Sequence, residues 1–261
     1  APHGCDGMAG DEAFEEWCRA QNVNLLSLST SLEVDLKRRS LKDPAIARRL
    51  ACVLRGSSVL RRLILSGTDL VDDTAGSILE ALRHTSIEAL DLSDNHLTAV
   101  SVPAVARLIR PADGLAADAG KDGEGRGLKE LSLDGNALGD AAIAQLGEAL
   151  LPPARLTTLS LQHAGAGDNS AYALARAIAT PGCALGMLSL AYGLVGNCGA
   201  AALAASLAAN DGTFKRLMLS GNLRIGDLGG QALAEALLAR GEGSPAGAIV
   251  DSDEQVRDIA A

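Results

Sequence analysis

A chain of 261 residues that is 48% apolar has ample material for a continuous core, in one domain or two. Its net charge of −9 would repel a phosphate backbone, and the pairs Arg38-Arg39, Arg48-Arg49 and Arg61-Arg62 stand apart rather than forming a stripe, so nucleic acid is not expected as a partner. Aromatic residues are only 2% of the chain, so the core has to be assembled from Leu, Ala, Val and Ile at regular positions; such monotony implies repetition.

In chain order, the first element is a short amphipathic helix over Asp11 to Arg19, with Phe14 and Trp17 three apart on one face. Those rings either cap the open end of the core that follows or serve as a docking point. Next comes a degenerate copy of a repeat, Val34-Leu36, and then L-x-L cores at Leu63-Leu65, Leu90-Leu92, Leu131-Leu133, Leu159-Leu161, Leu188-Leu190 and Leu217-Leu219. An apolar residue stands three positions before each of these six: Leu60, Ile87, Leu128, Leu156, Leu185 and Phe214. Successive starts lie 27, 41, 28, 29 and 29 apart. The long interval is one repeat plus an insertion, visible as the Gly/Ala/Asp-rich run from Pro111 to Gly127. Residues 177 to 210 carry no formal charge and exceed the roughly 20 residues a membrane span needs, but Pro181, Gly182, Asn197 and Asn210 interrupt them. Their apolar residues keep the register of the flanking repeats, so they read as two ordinary repeats with no membrane insertion. A last degenerate copy is expected at Ala248-Val250, as terminal repeats must close the core.

Each L-x-L run reads as a strand whose leucines point inward while the intervening residue points out. A Gly-Asp or Gly-Asn pair follows at Gly139-Asp140, Gly167-Asp168, Gly196-Asn197 and Gly226-Asp227, where Asp and Asn are good helix N-caps. Apolar pairs four apart then mark the buried stripe of a helix: Ile78/Leu82, Val105/Ile109, Leu146/Leu150, Leu174/Ile178, Leu203/Leu207 and Leu233/Leu237. The third residue after the core is Asn95, Asn136 or Asn222, whose amide can donate to and accept from backbone groups as the strand turns away. The copies with Thr68, Ala164 and Gly193 in that slot are expected to lose this bridge and pack more loosely. Strand, loop, helix and return give an α/β fold, a right-handed solenoid shaped as a horseshoe, with parallel strands on its concave face and helices on its convex face. The expected organisation is an N-terminal segment over 1–22, a repeat array over 23–245 with its insertion at 111–127, and a capping repeat over 246–261.

Written out, LKELSLDGNALGDAAIAQLGEAL (Leu128 to Leu150) and FKRLMLSGNLRIGDLGGQALAEAL (Phe214 to Leu237) resemble repeats of the ribonuclease-inhibitor-like leucine-rich repeat family. That family includes ribonuclease inhibitor, the Ran GTPase-activating protein and tropomodulin-type repeat domains, and the resemblance runs over about residues 30 to 250. It implies a protein-binding scaffold or adaptor rather than an enzyme; the alternatives it suggests are a GTPase activator or inhibitor and a cytoskeletal protein of the tropomodulin kind. The motif residues are the buried and turn-forming ones, so they speak for fold far more than for function. Unlike ribonuclease inhibitor, the chain is not rich in Cys and does not alternate two repeat types, and of the Ran activator's long acidic tail only Asp251, Asp253 and Glu254 are a trace.

The five cysteines are odd in number and lack C-x-x-C spacing, so they read as reduced thiols of an intracellular protein, cytoplasmic unless a leader has been removed. Protein partners are expected, with no cofactor, metal or small-molecule substrate. On the strand face the candidates are Arg62, Asp91, Glu130, Asp134, Gln162, Met187, Arg216 and Met218, with Tyr192 in the loop just beyond. The half from Thr158 to Ser220 is nearly neutral, with Met187 and Met218 expected to be exposed, and Met and Tyr are adaptable contact residues. The alternative reading is that small residues there tolerate the crowding of parallel strands. Arg62 and Arg216 are the candidates for stabilising phosphate charge, were the chain a GTPase activator. The helix around Asn197 to Ala209 carries no charge, through cover by a partner or through an Ala-rich bias. His84, His96 and His163 have no Ser or Cys nucleophile at a family-like spacing. Gly123 to Gly127 lacks the G-K-[ST] ending of a phosphate loop.

Overall fold

The computed structural model describes residues 8–110, 127–210, 212–241 and 249–251. It forms two compact units, Ala1–Leu128 and Lys129–Ala261. Most of the expected insertion, 111–126, lies outside the described residues.

In the first unit α1 (Met8–Ala20) and α2 (Leu25–Thr30) precede β1 (Glu33–Asp35), α3 (Pro44–Arg55), β2 (Arg62–Ile64), α4 (Asp72–Leu82), β3 (Ala89–Asp91), a 3-10 turn (Ala99–Ser101) and α5 (Val102–Ile109). The three strands are parallel and in sequence order, pairing Val34 with Leu63 and Leu63 with Leu90. Helix α1 is longer than Asp11 to Arg19 and packs on α3. Phe14 is buried and stacked on Trp17 at 5.8 Å, and the Trp17 indole N–H donates to the carbonyl of Ser40 at 2.9 Å.

The second unit runs β4 (Glu130–Ser132), α6 (Asp140–Ala149), β5 (Thr158–Ser160), α7 (Asp168–Ile178), β6 (Met187–Ser189), α8 (Asn197–Ala209), β7 (Arg216–Met218), α9 (Asp227–Gly241) and β8 (Ile249–Asp251). Its strands are again parallel and in order, pairing Leu131, Leu159, Leu188 and Leu217 in one row. The next partner in the row is Val250, 33 residues after Leu217, so the expected Ala248-Val250 core is out of register by two. Each unit is therefore a stretch of α/β solenoid, with one strand and one helix per repeat and consecutive helices packed side by side.

The core is built as the repeat predicts. The L-x-L leucines and the apolar residues three before them are all buried, as are the helical pairs except Leu237, which is half-buried. With almost no large rings, stability comes from stacking many leucines, each worth about 1.5–3 kcal/mol when fully buried. No helix among the described residues is long and apolar enough to cross a membrane.

Candidate functional site

Three lateral ladders fix the loops that leave the strands. The first is made of buried asparagines. Asn222 Oδ1 accepts the backbone N–H of Val195 at 3.0 Å, while its Nδ2 donates to the carbonyls of Leu190 and Leu219 at 2.9 and 2.8 Å. Asn95 does the same for the turn at Thr68 and Leu70, and its Nδ2 donates to Leu65. These amides thus satisfy the turn of the preceding repeat as well as their own, which corrects the expectation of loose packing where the slot holds Thr68 or Gly193. Thr68 keeps a bridge of its own, donating its hydroxyl to Leu65, and Gly193 is glycine because the space is filled. A Cβ there would stand 2.7 Å from the Ala166 carbonyl oxygen and 2.9 Å from Asn222 Oδ1.

The second ladder is made of Asp72, Asp140, Asp168 and Asn197, and it differs from the expected N-caps. Asp140 is the first residue of α6, and its carboxylate reaches to the next helix instead, accepting the N–H groups of Gly167, Asn169 and Ser170 at 2.9, 3.2 and 2.7 Å. Asp168 does the same for Gly196 and Gly199, Asn197 for Gly226 and Gly229, and, in the first unit, Asp72 for Thr98 with the hydroxyls of Thr98 and Ser101. Each side chain therefore fills the orphan donors of its neighbour's first turn. Burial alone would raise the Asp140 and Asp72 carboxyls, but these donors more than offset it and hold both below the usual carboxylate range.

The third ladder is a row of left-handed residues, two after each second core leucine. In the second unit it reads Gly135, His163, Tyr192 and Gly221, with φ of 67°, 53°, 56° and 74°. The backbone N–H groups of Gly135, His163 and Tyr192 each donate to the next repeat, at 2.8, 3.1 and 2.7 Å, so this conformation is imposed by the stack. Glycine fits it freely, whereas a larger residue carries a cost of about 1–2 kcal/mol. His163 and Tyr192 carry it together, with rings parallel within 5° and centroids 4.5 Å apart, and such a contact returns only about 0.5–1.5 kcal/mol. Both are exposed, and the Tyr192 ring covers the Cα of Gly221 so closely that a Cβ there would collide with it.

Two residues further on, the same edge carries Leu194 and Leu223, equivalent positions in adjacent repeats. This slot is laterally adjacent in the fold: in the first unit it holds Asp69 and His96, 3.9 Å apart. Tyr192, Leu194, Leu223 and Leu228 at the start of α9 are 54%, 50%, 92% and 73% exposed. Sequence reasoning named only Tyr192 of these four. The signal was an apolar residue in a slot that is Asp69, His96 and Ala137 elsewhere.

The predicted sheet-face residues fall as follows. In the first unit Arg62 is exposed on β2, and half-buried Asp91 on β3 accepts the N–H and hydroxyl of Ser93. In the second, Glu130 and Arg216 are exposed, and Asp134 is held by the Gln162 N–H at 2.7 Å and the Ser160 hydroxyl at 2.9 Å. The Gln162 amide lies 3.5 Å from that hydroxyl. Met187 and Met218 are half-buried, not exposed as expected, and Ser189 and Ala191 between them are closed off by their neighbours. The structure thus brings Asp134, Ser160 and Gln162 together and sets Met187 in register with Arg216. His84 pairs with Arg55 at 3.0 Å, and no group of three or more His, Cys, Asp or Glu is arranged for a metal among the described residues. An open cleft of about 610 Å³ in the first unit, between α1 and the start of α3, is lined by Glu16, Trp17, Gln21, Lys42 and Asp43 among others.

A leucine-rich repeat model matches residues 83–106, across β3. The chain contains a leucine-rich repeat. It is similar to leucine-rich repeat-containing protein 73 of Rattus norvegicus and of Homo sapiens, each 29% identical over 168 residues, covering 63% of this chain and 48% of the relative. The chain spans about half the length of the curated relatives it matches. Among solved structures it is similar to leiomodin-1 actin-binding site 2, at 20% identity and a TM-score of 0.42 over 59% of this chain and 79% of that one. It is also similar to the tropomodulin C-terminal domain of Caenorhabditis elegans, at 17% identity and a TM-score of 0.43 over 63% and 90%.

Proposed function

We propose that the chain is a non-catalytic interaction module, a scaffold or adaptor, that binds a protein partner along the loop edge of its second unit. The observation that carries the reading is the strip of Tyr192, Leu194, Leu223 and Leu228. Leucine surface left in water gives folding nothing, while covering it would contribute up to about 1.5–3 kcal/mol for Leu223 and less for the partly covered Leu194 and Leu228. Tyr192 stacks on His163, the residue after Gln162, so the apolar strip continues into aromatic and polar contacts, as in protein interfaces. The hydrogen-bonded ladders beneath it hold the loops in place, which lowers the entropy lost on binding. The readings as a GTPase activator or as a cytoskeletal protein draw on no comparable feature.

Capture from the native source at low salt, with the wild-type chain and with a Leu194→Ser, Leu223→Ser variant, tests this. A protein retained by the wild type and lost by the folded variant is the expected result. A monomer that retains nothing, or equal retention by both, would overturn it.

A further inference from the structure

The strained pair His163 and Tyr192 is flanked on both sides of its ladder by glycine, Gly135 before and Gly221 after. Tyr192 lies against Gly221, so that side is closed. Tyr192 occupies one face of the His163 ring, and Gly135, at the same ladder position in the preceding repeat, has no side chain to place against the other. Directly before Gly135 stands Asp134, and the bond from the Gln162 N–H ties its carboxylate to the residue next to His163. Among the described residues each Asp134 oxygen accepts one bond, which leaves capacity on both, and no cation pairs with it.

We propose that this slot docks an arginine of the protein partner, its guanidinium plane on the open face of His163 above Gly135 and its N–H groups on the Asp134 carboxylate. A guanidinium is planar, stacks on rings and presents a fork of donors to a carboxylate, so one group answers both features; an ammonium answers only the charge. The acidic chain, at −9, favours the approach of a basic segment. The strain in the ladder follows, since rings in place of glycine build the platform. The inference rests on the protein-binding reading and names the chemistry of what binds there.

Hexa-arginine and hexa-lysine peptides, equal in charge, are the probes, titrated into the full chain with the ring resonances of His163 and Tyr192 followed by NMR. Hexa-arginine is expected to shift both rings and to bind roughly tenfold tighter than hexa-lysine. His163→Gly, Tyr192→Gly should remove that preference, and Asp134→Asn should weaken both peptides. Glycine is at ease at both positive-φ positions, so the double variant should keep at least the wild-type unfolding midpoint, and a loss of binding is then not a loss of fold. Equal affinity for the two peptides, or shifts that spare His163, would overturn the proposal. If a captured native partner is held as tightly by the glycine variant as by wild type, the arginine slot fails while the interaction module stands; if wild type captures nothing, both fail.

Discussion

Replacing Asp140 by Ala removes the acceptor of three backbone N–H groups on the neighbouring helix, and the cost can be worked donor by donor. Gly167 keeps a partner, because its N–H also reaches the Ser170 hydroxyl at 3.0 Å. Asn169 is exposed and is rehydrated. The Ser170 N–H is partly buried and has only Asp140 at 2.7 Å, so it is orphaned. One orphaned donor, together with the lost charge at a helix start, amounts to about 2 kcal/mol. Asp140→Asn keeps an acceptor and should lose about half as much. The charge adds a pH signature. The folded carboxyl titrates below its unfolded value, so its stabilisation is fully present above pH ~4 and is lost as pH falls through the depressed folded value. The gap between wild type and Asp140→Asn should therefore be constant near neutrality and close in acid. Urea unfolding at several pH values, with amide exchange at Ser170, measures both. A loss under about 0.5 kcal/mol for Asp140→Ala, unchanged Ser170 exchange, or a gap that ignores pH would refute the reasoning.

Two further substitutions probe the asparagine ladder. Gly193→Ala should cost about 1–3 kcal/mol in urea unfolding, because the Ala166 carbonyl and the Asn222 amide that its Cβ would meet are both held by hydrogen bonds. Asn222→Ala should cost about 3 kcal/mol, since it orphans the Val195 N–H and leaves the Leu190 carbonyl short of a donor; faster amide exchange at Val195 locates the damage.

The strands and helix stripes were legible because a core of leucines recurs every 27 to 29 residues, and nothing else in the chain competes with that period. The turn asparagines were legible by type but not by address. Asn222 serves the turn at Gly193, and Asp140 serves the helix at Asp168, because the nearest unsatisfied donors in a solenoid belong to the neighbouring repeat, which propensity along one chain does not encode. Register failed at Val250, where the spacing departs from the repeat. Of the candidate surface, the sheet face was readable from the alternation of L-x-L, but not the closing of Ser189 and Ala191 by adjacent strands. Leu194 and Leu223 were hidden by their own chemistry: a leucine in a leucine-rich chain reads as core until its slot is compared with Asp69 and His96.

The claim that a partner covers the loop edge is tested most directly by a photo-cross-linking residue placed at Leu223 and, separately, at the exposed Ala205 of α8, with the complex captured from the native source. The account predicts a cross-linked partner from position 223 and none from position 205. Cross-linking confined to position 205 would contradict it.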